Sequence, residues 1–392
     1  MAAVVERPET THTSKDWTDF QHTGPGTLAG RFMRMFWHPI YAGEDLPPGK
    51  AVPMQIMNEW LTLYRGQTGT PHAVAFRCVH RGTQLSTGWV EGDDIRCRFH
   101  GWKYSGDGQC VEQPCEPEPF CDQIRIRSYP TEEYLGLIFI YTGEGKAPPL
   151  PRFPQFDETK GIIEVAKPKL SESNYFRRVE LISDEAHLIW AHRHEKAFSQ
   201  HDNPDLAAEE TEHGIVQTGT RPDGQVRRTH YIMPNLMYVT NGAPTPEEQK
   251  DRERLMWKVP VDDDHYFNLG VLMIFLQGEA AKSYRSRQAG REAAQQRANT
   301  PGKLRAILTG QMTLEEVDDR ADISHLEDEV VLAGMGLLSN GPLEEHLGKT
   351  DVGVVIKRKI WERELQALAE GRPMKQWRLS GDGLTVSEGI HR

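Results

Sequence analysis

The chain has 392 residues and a formal net charge of −11, with 57 acidic against 46 basic side chains, a balance that disfavours nucleic acid and anionic membrane surfaces as partners. No run approaches eighteen apolar residues, and Met1 to Lys15 is polar without an apolar core. The sequence is therefore read as carrying neither a membrane span nor a secretory signal, with the cytoplasm as the expected compartment. The length suggests two or three domains.

From Ala51 to about Thr142, short β-rich runs alternate with Gly-marked turns: Trp60 to Tyr64, a turn at Gly66 to Gly69, then Ala73 to Phe76. That spacing predicts a small antiparallel β domain. Leu135 to Tyr141 reads as its closing buried strand, and the Gly- and Pro-rich stretch 143–154 as the boundary. Beyond it, helices are expected near Asn174–His194, Ala281–Arg297, Leu314–Asp319 and Ile360–Glu370. Strands are expected near Arg228–Val239 and Tyr266–Phe275. The mixture predicts an α+β fold.

Within the β domain, Cys78-Val-His80 is followed, after sixteen intervening residues, by Cys97-Arg-Phe-His100. A Rieske [2Fe–2S] cluster needs two thiolates on one iron and two imidazoles on the other, so two Cys/His pairs on facing loops fit it. Zinc competes, because the same four ligands suit a tetrahedral site. Gly82 and Gly101 favour the cluster, since a glycine behind each ligand pair lets the backbone turn close over it. Cys110, Cys115 and Cys121 read as free thiols rather than a disulfide framework.

A second constellation is Asp184-Glu-Ala-His187-Leu-Ile-Trp-Ala-His192. Mononuclear iron that activates O2 commonly takes two His and one carboxylate on one face. On a straight helix His187 and His192 project about 140° apart, so the helix must bend, bulge or end for both rings to converge. His194 shares a face with His187 but lies roughly 10 Å along the axis.

With both motifs in view, the chain from about Arg31 to Trp361 resembles the α-subunit of Rieske non-haem iron oxygenases, in the branch of phthalate-dioxygenase-like enzymes and aromatic O-demethylases of lignin-derived biaryls. The resemblance implies an N-terminal antiparallel β Rieske domain over 28–145 and a helix-grip catalytic domain, an antiparallel sheet with helices, over 150–392. Residues 1–27 are expected as an extension packing on neighbours. It makes Cys78, His80, Cys97 and His100 the cluster ligands, and His187 and His192 ligands of a mononuclear Fe(II). The third ligand falls in the segment Leu326-Glu-Asp328-Glu, with Asp328 first and Glu327 and Glu329 as alternatives. Asp184 matches the carboxylate that bridges an iron-ligand His to a cluster His across a subunit boundary. Glu180 departs from the family pattern, in which several relatives have Asn.

The family implies a head-to-tail trimer, alone or stacked as a hexamer. A separate reductase, with or without a ferredoxin, is implied because no Gly-x-Gly-x-x-Gly follows a strand and no nicotinamide or flavin site is visible. O-demethylation of a methoxylated aromatic acid, releasing formaldehyde, is the first expectation, and ring hydroxylation of a phthalate-like substrate the second. A Rieske electron carrier lacking catalytic iron is the competing class. Arg193, Arg228, Tyr231, Asn235, Tyr238 and Asn241 are candidate substrate contacts.

Overall fold

The computed structural model describes residues 16–157, 161–193, 203–222, 224, 226–239, 252–297, 300–318, 323–338 and 344–377. The first region contains α1 (Leu28–Met33), β1 (Trp37–Ala42), β2 (Ala51–Ile56), β3 (Glu59–Arg65), β4 (Pro71–Ala75) and β5 (Trp89–Glu91). It continues with β6 (Asp94–Arg96), β7 (Lys103–Tyr104), β8 (Cys110–Glu112), β9 (Ser128–Tyr129), β10 (Thr131–Tyr134) and β11 (Leu137–Tyr141). These strands form three sheets, ordered β2-β3-β4-β9, β5-β6-β7-β8 and β1-β11-β10. Every pairing is antiparallel.

Tight turns set the register. Met57 and Asn58 both take positive φ between the paired residues Ile56 and Glu59, the two-residue connection whose twist matches that of its strands. Leu135 and Gly136 do the same between Tyr134 and Leu137. The strand expected from Leu135 therefore starts two residues later.

After α2 (Pro154–Asp157) come β12 (Ile162–Ser171), α3 (Tyr175–Leu181), α4 (Ala186–Trp190), β13 (Asp205–Glu210), β14 (Gly214–Thr220), β15 (Val226–Ile232) and β16 (Leu236–Val239). The chain then forms β17 (Arg252–Pro260), β18 (Tyr266–Ile274), α5 (Gly278–Arg297), α6 (Thr300–Leu308), α7 (Ile323–Gly334) and α8 (Val352–Ala369). All seven strands make one antiparallel sheet, ordered β12-β18-β17-β16-β15-β14-β13. The architecture is the expected α+β arrangement.

Several element expectations are corrected. Arg228–Val239 is a hairpin rather than one strand, because Met233, Pro234 and Asn235 turn the chain between the paired residues Ile232 and Leu236. Leu314–Asp319 reduces to one 3-10 turn at Leu314–Glu316, held by a reciprocal Thr313/Glu316 cap. Asp319 lies outside the described residues. Asn174–His194 is two helices, α3 and α4, with a break at Ser183 and Asp184; His194 lies outside the described residues.

The two faces of the large sheet have different partners. Trp257 meets Phe139 of β11 and Phe153 at ring separations of 5.5 and 6.2 Å, so one face shares its core with the first region. On the opposite face, Tyr231 bonds Trp361 of α8 and Tyr266 bonds Glu329 of α7. That face receives the helices. Phe20, in the stretch expected to reach toward neighbours, is buried within this chain against Phe176 and Trp361.

Candidate metal centres

The two cluster loops repeat one backbone device. In the first, Cys78 N–H donates to Thr83 O and Gly82 N–H to Cys78 O, both at 2.8 Å; in the second, Cys97 N–H donates to Trp102 O at 2.8 Å and Gly101 N–H to Cys97 O at 3.1 Å. Gly82 and Gly101 adopt φ of +74° and +75°, the left-handed conformation that favours glycine. At Gly101 a Cβ would also approach Pro114 Cγ to 2.8 Å. Each loop thus curls its cysteine inward.

Cys78 and Cys97 are buried, while the rings of His80 and His100 stand 4.5 Å apart, half-buried at the loop tips. Trp102 stacks on His80 at 4.5 Å and 6°, and the Tyr104 hydroxyl lies 3.1 Å from Cys78 Sγ. Hydrogen bonding from Cys97 draws the Cys78 thiol down to about 6 and pushes Cys97 up. Two thiols this close are most easily relieved by one cationic group that takes both as thiolates. The donor set fits a Rieske cluster.

The second centre is built where the helix breaks. Asp184 Oδ1 accepts the His187 backbone N–H at 3.1 Å in the first turn of α4, while the Asp184 carbonyl accepts from His187 Nδ1. His192 Nδ1 is held by Glu327 Oε2 at 2.8 Å. Both imidazoles therefore carry their proton on Nδ1 and turn Nε2 to the same place.

Asp328, on α7, faces that place. Its Oδ2 accepts from Arg178 Nη1 of α3 at 2.5 Å, whereas Oδ1 lies 3.2 Å from His192 Nε2 and 3.8 Å from His187 Nε2 and makes no hydrogen bond of acceptable geometry. One ligand atom from each of the three residues lies within 4.8 Å of the others. Atoms each about 2.1 Å from a shared cation sit ~3.0–3.4 Å apart at tetrahedral or octahedral angles, so the trio needs only a small contraction to ligate. An orphaned buried oxygen opposite two lone pairs fits a metal ion.

Electrostatics agree with the geometry. Burial alone would raise Asp328, but Arg178 and the two imidazoles hold its carboxyl well below the ordinary carboxylate range. Burial opposes charge on His192, yet Asp328 and Glu327 push it up to about 9. Burial lowers His187. A cation bound between Asp328 and the two rings would compete with protonation of His192.

Residues 36–130 match the family model of the Rieske [2Fe-2S] domain. Among curated relatives, the 5,5'-dehydrodivanillate O-demethylase oxygenase subunit of Sphingobium sp. is 25% identical over 366 residues, covering 90% of this chain and 80% of the relative. The phenoxybenzoate dioxygenase subunit alpha of Ectopseudomonas oleovorans is 28% identical over 371 residues, covering 88% and 84%. The chain is a Rieske-type oxygenase subunit. Solved structures share its fold: NdmA of Pseudomonas putida CBB5, as a mutant with theobromine, superposes with a TM-score of 0.64 at 19% identity, covering 87% of this chain and 93% of that one. The fluorene-bound oxygenase and ferredoxin complex of carbazole 1,9a-dioxygenase gives 0.64 at 18%, covering 90% and 94%. The matched domain is the kind that holds a [2Fe–2S] cluster, and both relatives are named as oxygenase subunits.

Of the other residues singled out in the oxygenase sequence, most have structural partners. Tyr231 bonds Trp361, Asn235 donates to Lys258 O, and Tyr238 donates to Glu253. Arg193 is exposed beside Glu315, and Arg228 is exposed. Asn241 lies outside the described residues. Glu180 is engaged by Arg358 of α8, which explains why an acid is tolerated there. Arg178 and the orienting role of Glu327 were not foreseen, because each acts on a partner 135 or more positions away. Among the described residues, no helix is long and apolar enough to cross a membrane.

Proposed function

We propose that the chain is the terminal oxygenase component of a multicomponent system, with a mononuclear Fe(II) held by His187, His192 and Asp328, and that it removes the methyl group of a methoxylated aromatic acid. The orphaned Oδ1 of Asp328 opposite two Nε2 atoms carries the metal assignment. An iron there would supply O2 activation, fed one electron at a time from the cluster. Arg178 restrains one oxygen of Asp328 so that the other stays presented, and Glu327 and the Asp184 carbonyl fix the tautomers of the two rings. Hydroxylating a methoxy carbon yields a hemiacetal that collapses to a phenol and formaldehyde.

The O-demethylase relative supports demethylation. Phenoxybenzoate and 3-chlorobenzoate dioxygenase subunits among the relatives keep ring hydroxylation of an aromatic acid as the second reading. A head-to-tail trimer is part of the proposal, with the domains divided near 146–149 and Asp184 lying between His187 and His100 of the next subunit. Exposed apolar side chains at both centres support it: Val79 and Phe99 on the cluster loops, and Trp190 beside His187. Such a surface is normally covered by a partner.

The test is reconstitution with a surrogate reductase, NADH and a panel of methoxylated aromatic acids, with iron counted per chain. Three irons and formaldehyde release are expected. A cis-diol product selects the second reading. Two irons, with no product from any acid, would remove the oxygenase assignment of the second centre.

A further inference from the structure

β17 lays a column of side chains along the helix-covered face of the large sheet. Arg254, Met256 and Lys258 alternate with Leu255 and Trp257, which face the shared core. Lys258 is fully buried, donates to Asn268 Oδ1 at 2.6 Å, and has its charge disfavoured by burial and by Arg178 while Asp328 and Glu329 favour it. It marks the end of the column nearest the metal site. Arg254 lies four residues away, ~13 Å along the strand.

Among the described residues, Arg254 has no carboxylate within ion-pair distance and no hydrogen-bonded partner. Its neighbours across the sheet are Val239 and Leu272, and the preceding residue on its face is another cation, Arg252. Glu253 points the other way and accepts from the Tyr238 hydroxyl. Glu164, beyond Leu272 on β12, accepts from the Tyr284 hydroxyl at 3.0 Å. Burial first, and Arg252 second, disfavour the charge on Arg254. A desolvated guanidinium without a counter-charge is costly, and its planar fork suits a carboxylate bidentately. Between Arg254 and Lys258, Met256 pairs across the sheet with Gly270, which carries no side chain.

We propose that Arg254 is the carboxylate anchor of the substrate site, holding an aromatic acid whose ring lies on Met256 and Gly270 and whose reacting group points toward the His187, His192 and Asp328 end. The separation along β17 favours an acid longer than a single ring. This rests on the oxygenase reading above and adds to it the acid-recognising residue and the orientation of the substrate.

The test measures equilibrium binding, by quenching of intrinsic fluorescence, to the full-length oxidised oxygenase without turnover. The probes are 3-phenoxybenzoate, biphenyl-4-carboxylate and benzoate, each beside its carboxamide. Two-ring acids should bind about 10- to 100-fold more tightly than their amides; Arg254→Gln should erase that preference while changing amide affinity little, and Arg254→Lys should keep part of it. Acids binding no better than amides, no binding by any acid, or equal loss of acid and amide in Arg254→Gln with an unchanged melting temperature would each overturn the anchor. Binding is read without O2 or reductant, so the anchor and the oxygenase reading fail separately. Acid-selective binding without turnover leaves Arg254 in place, whereas formaldehyde released equally from a methoxylated amide removes the anchor alone.

Discussion

The two centres are assembled by different means. Both cluster loops lie between Cys78 and Trp102 and are closed by hydrogen bonds spanning four or five residues within each loop. The other centre is drawn from α3, from α4 and the turn that follows it, and from α7, through contacts between residues 135 and 150 positions apart. The first is local and carries its own geometry; the second exists only while distant helices stay packed. Damage to one should therefore leave the other legible in spectra.

The largest effect expected on this basis is His187→Ala, which should abolish turnover and lower iron from three to two per chain while the visible cluster spectrum stays intact. A variant with wild-type activity would remove His187 from the site. Asp184→Asn should lose nearly all turnover with both metals retained. In rapid mixing its cluster should reduce normally but fail to reoxidise when substrate and O2 are supplied; rapid reoxidation would break the bridging role.

Glu327→Gln sharpens the contrast at an intermediate level. Loss of its carboxylate from His192 should weaken Fe(II) or Co(II) binding about 10- to 100-fold in direct titration, with cluster absorbance unchanged. Within the cluster loops, Gly101→Ala should lose cluster occupancy because Pro114 stands where the new methyl would go. Gly82→Ala meets nothing within 4 Å and should cost only the left-handed strain of about 1–2 kcal/mol. Iron content of the two variants compares them directly.

The smallest effect lies at the seam between the regions, where His38 of β1 contacts Met33 O and Asn235. Burial lowers His38 to about 4 from its ordinary 6.5. An unfolded chain then binds a proton that the folded one refuses, so stability is complete above pH 6.5 and falls as pH drops toward 4. By pH 5 the loss approaches about 2 kcal/mol. Melting temperatures across that range should show a slope that His38→Gln flattens.

The same division explains what could be read from the chain. Cys78, His80, Cys97 and His100 were legible because ligand and turn glycine sit in one short motif. His187 and His192 were legible as residues, and so was the need for the helix to bend, bulge or end between them, which α4 meets by stopping at Trp190; the earlier break at Ser183 and Asp184 was not, since nothing there marks it as strongly as a proline would. The α7 helix was missed altogether. Its Glu327, Asp328 and Glu329 are all buried, which hides the apolar stripe by which a packed helix is normally recognised; only the family resemblance pointed to Asp328. Arg254 escaped for a related reason, because β17 itself was not foreseen.

Those three consecutive acids tie α7 to the rest of the molecule in three directions. Successive residues on a helix point about 100° apart, so one turn serves His192 through Glu327, Arg178 through Asp328, and Tyr266 through Glu329. Rolling the helix by a single position would disengage all three at once. Length changes in the segments leading into α7 can be absorbed, but a residue inserted between Leu326 and Asp328 would swing the carboxylate away from both imidazoles, so natural variation in this enzyme should spare the phase of that turn even where its neighbours drift.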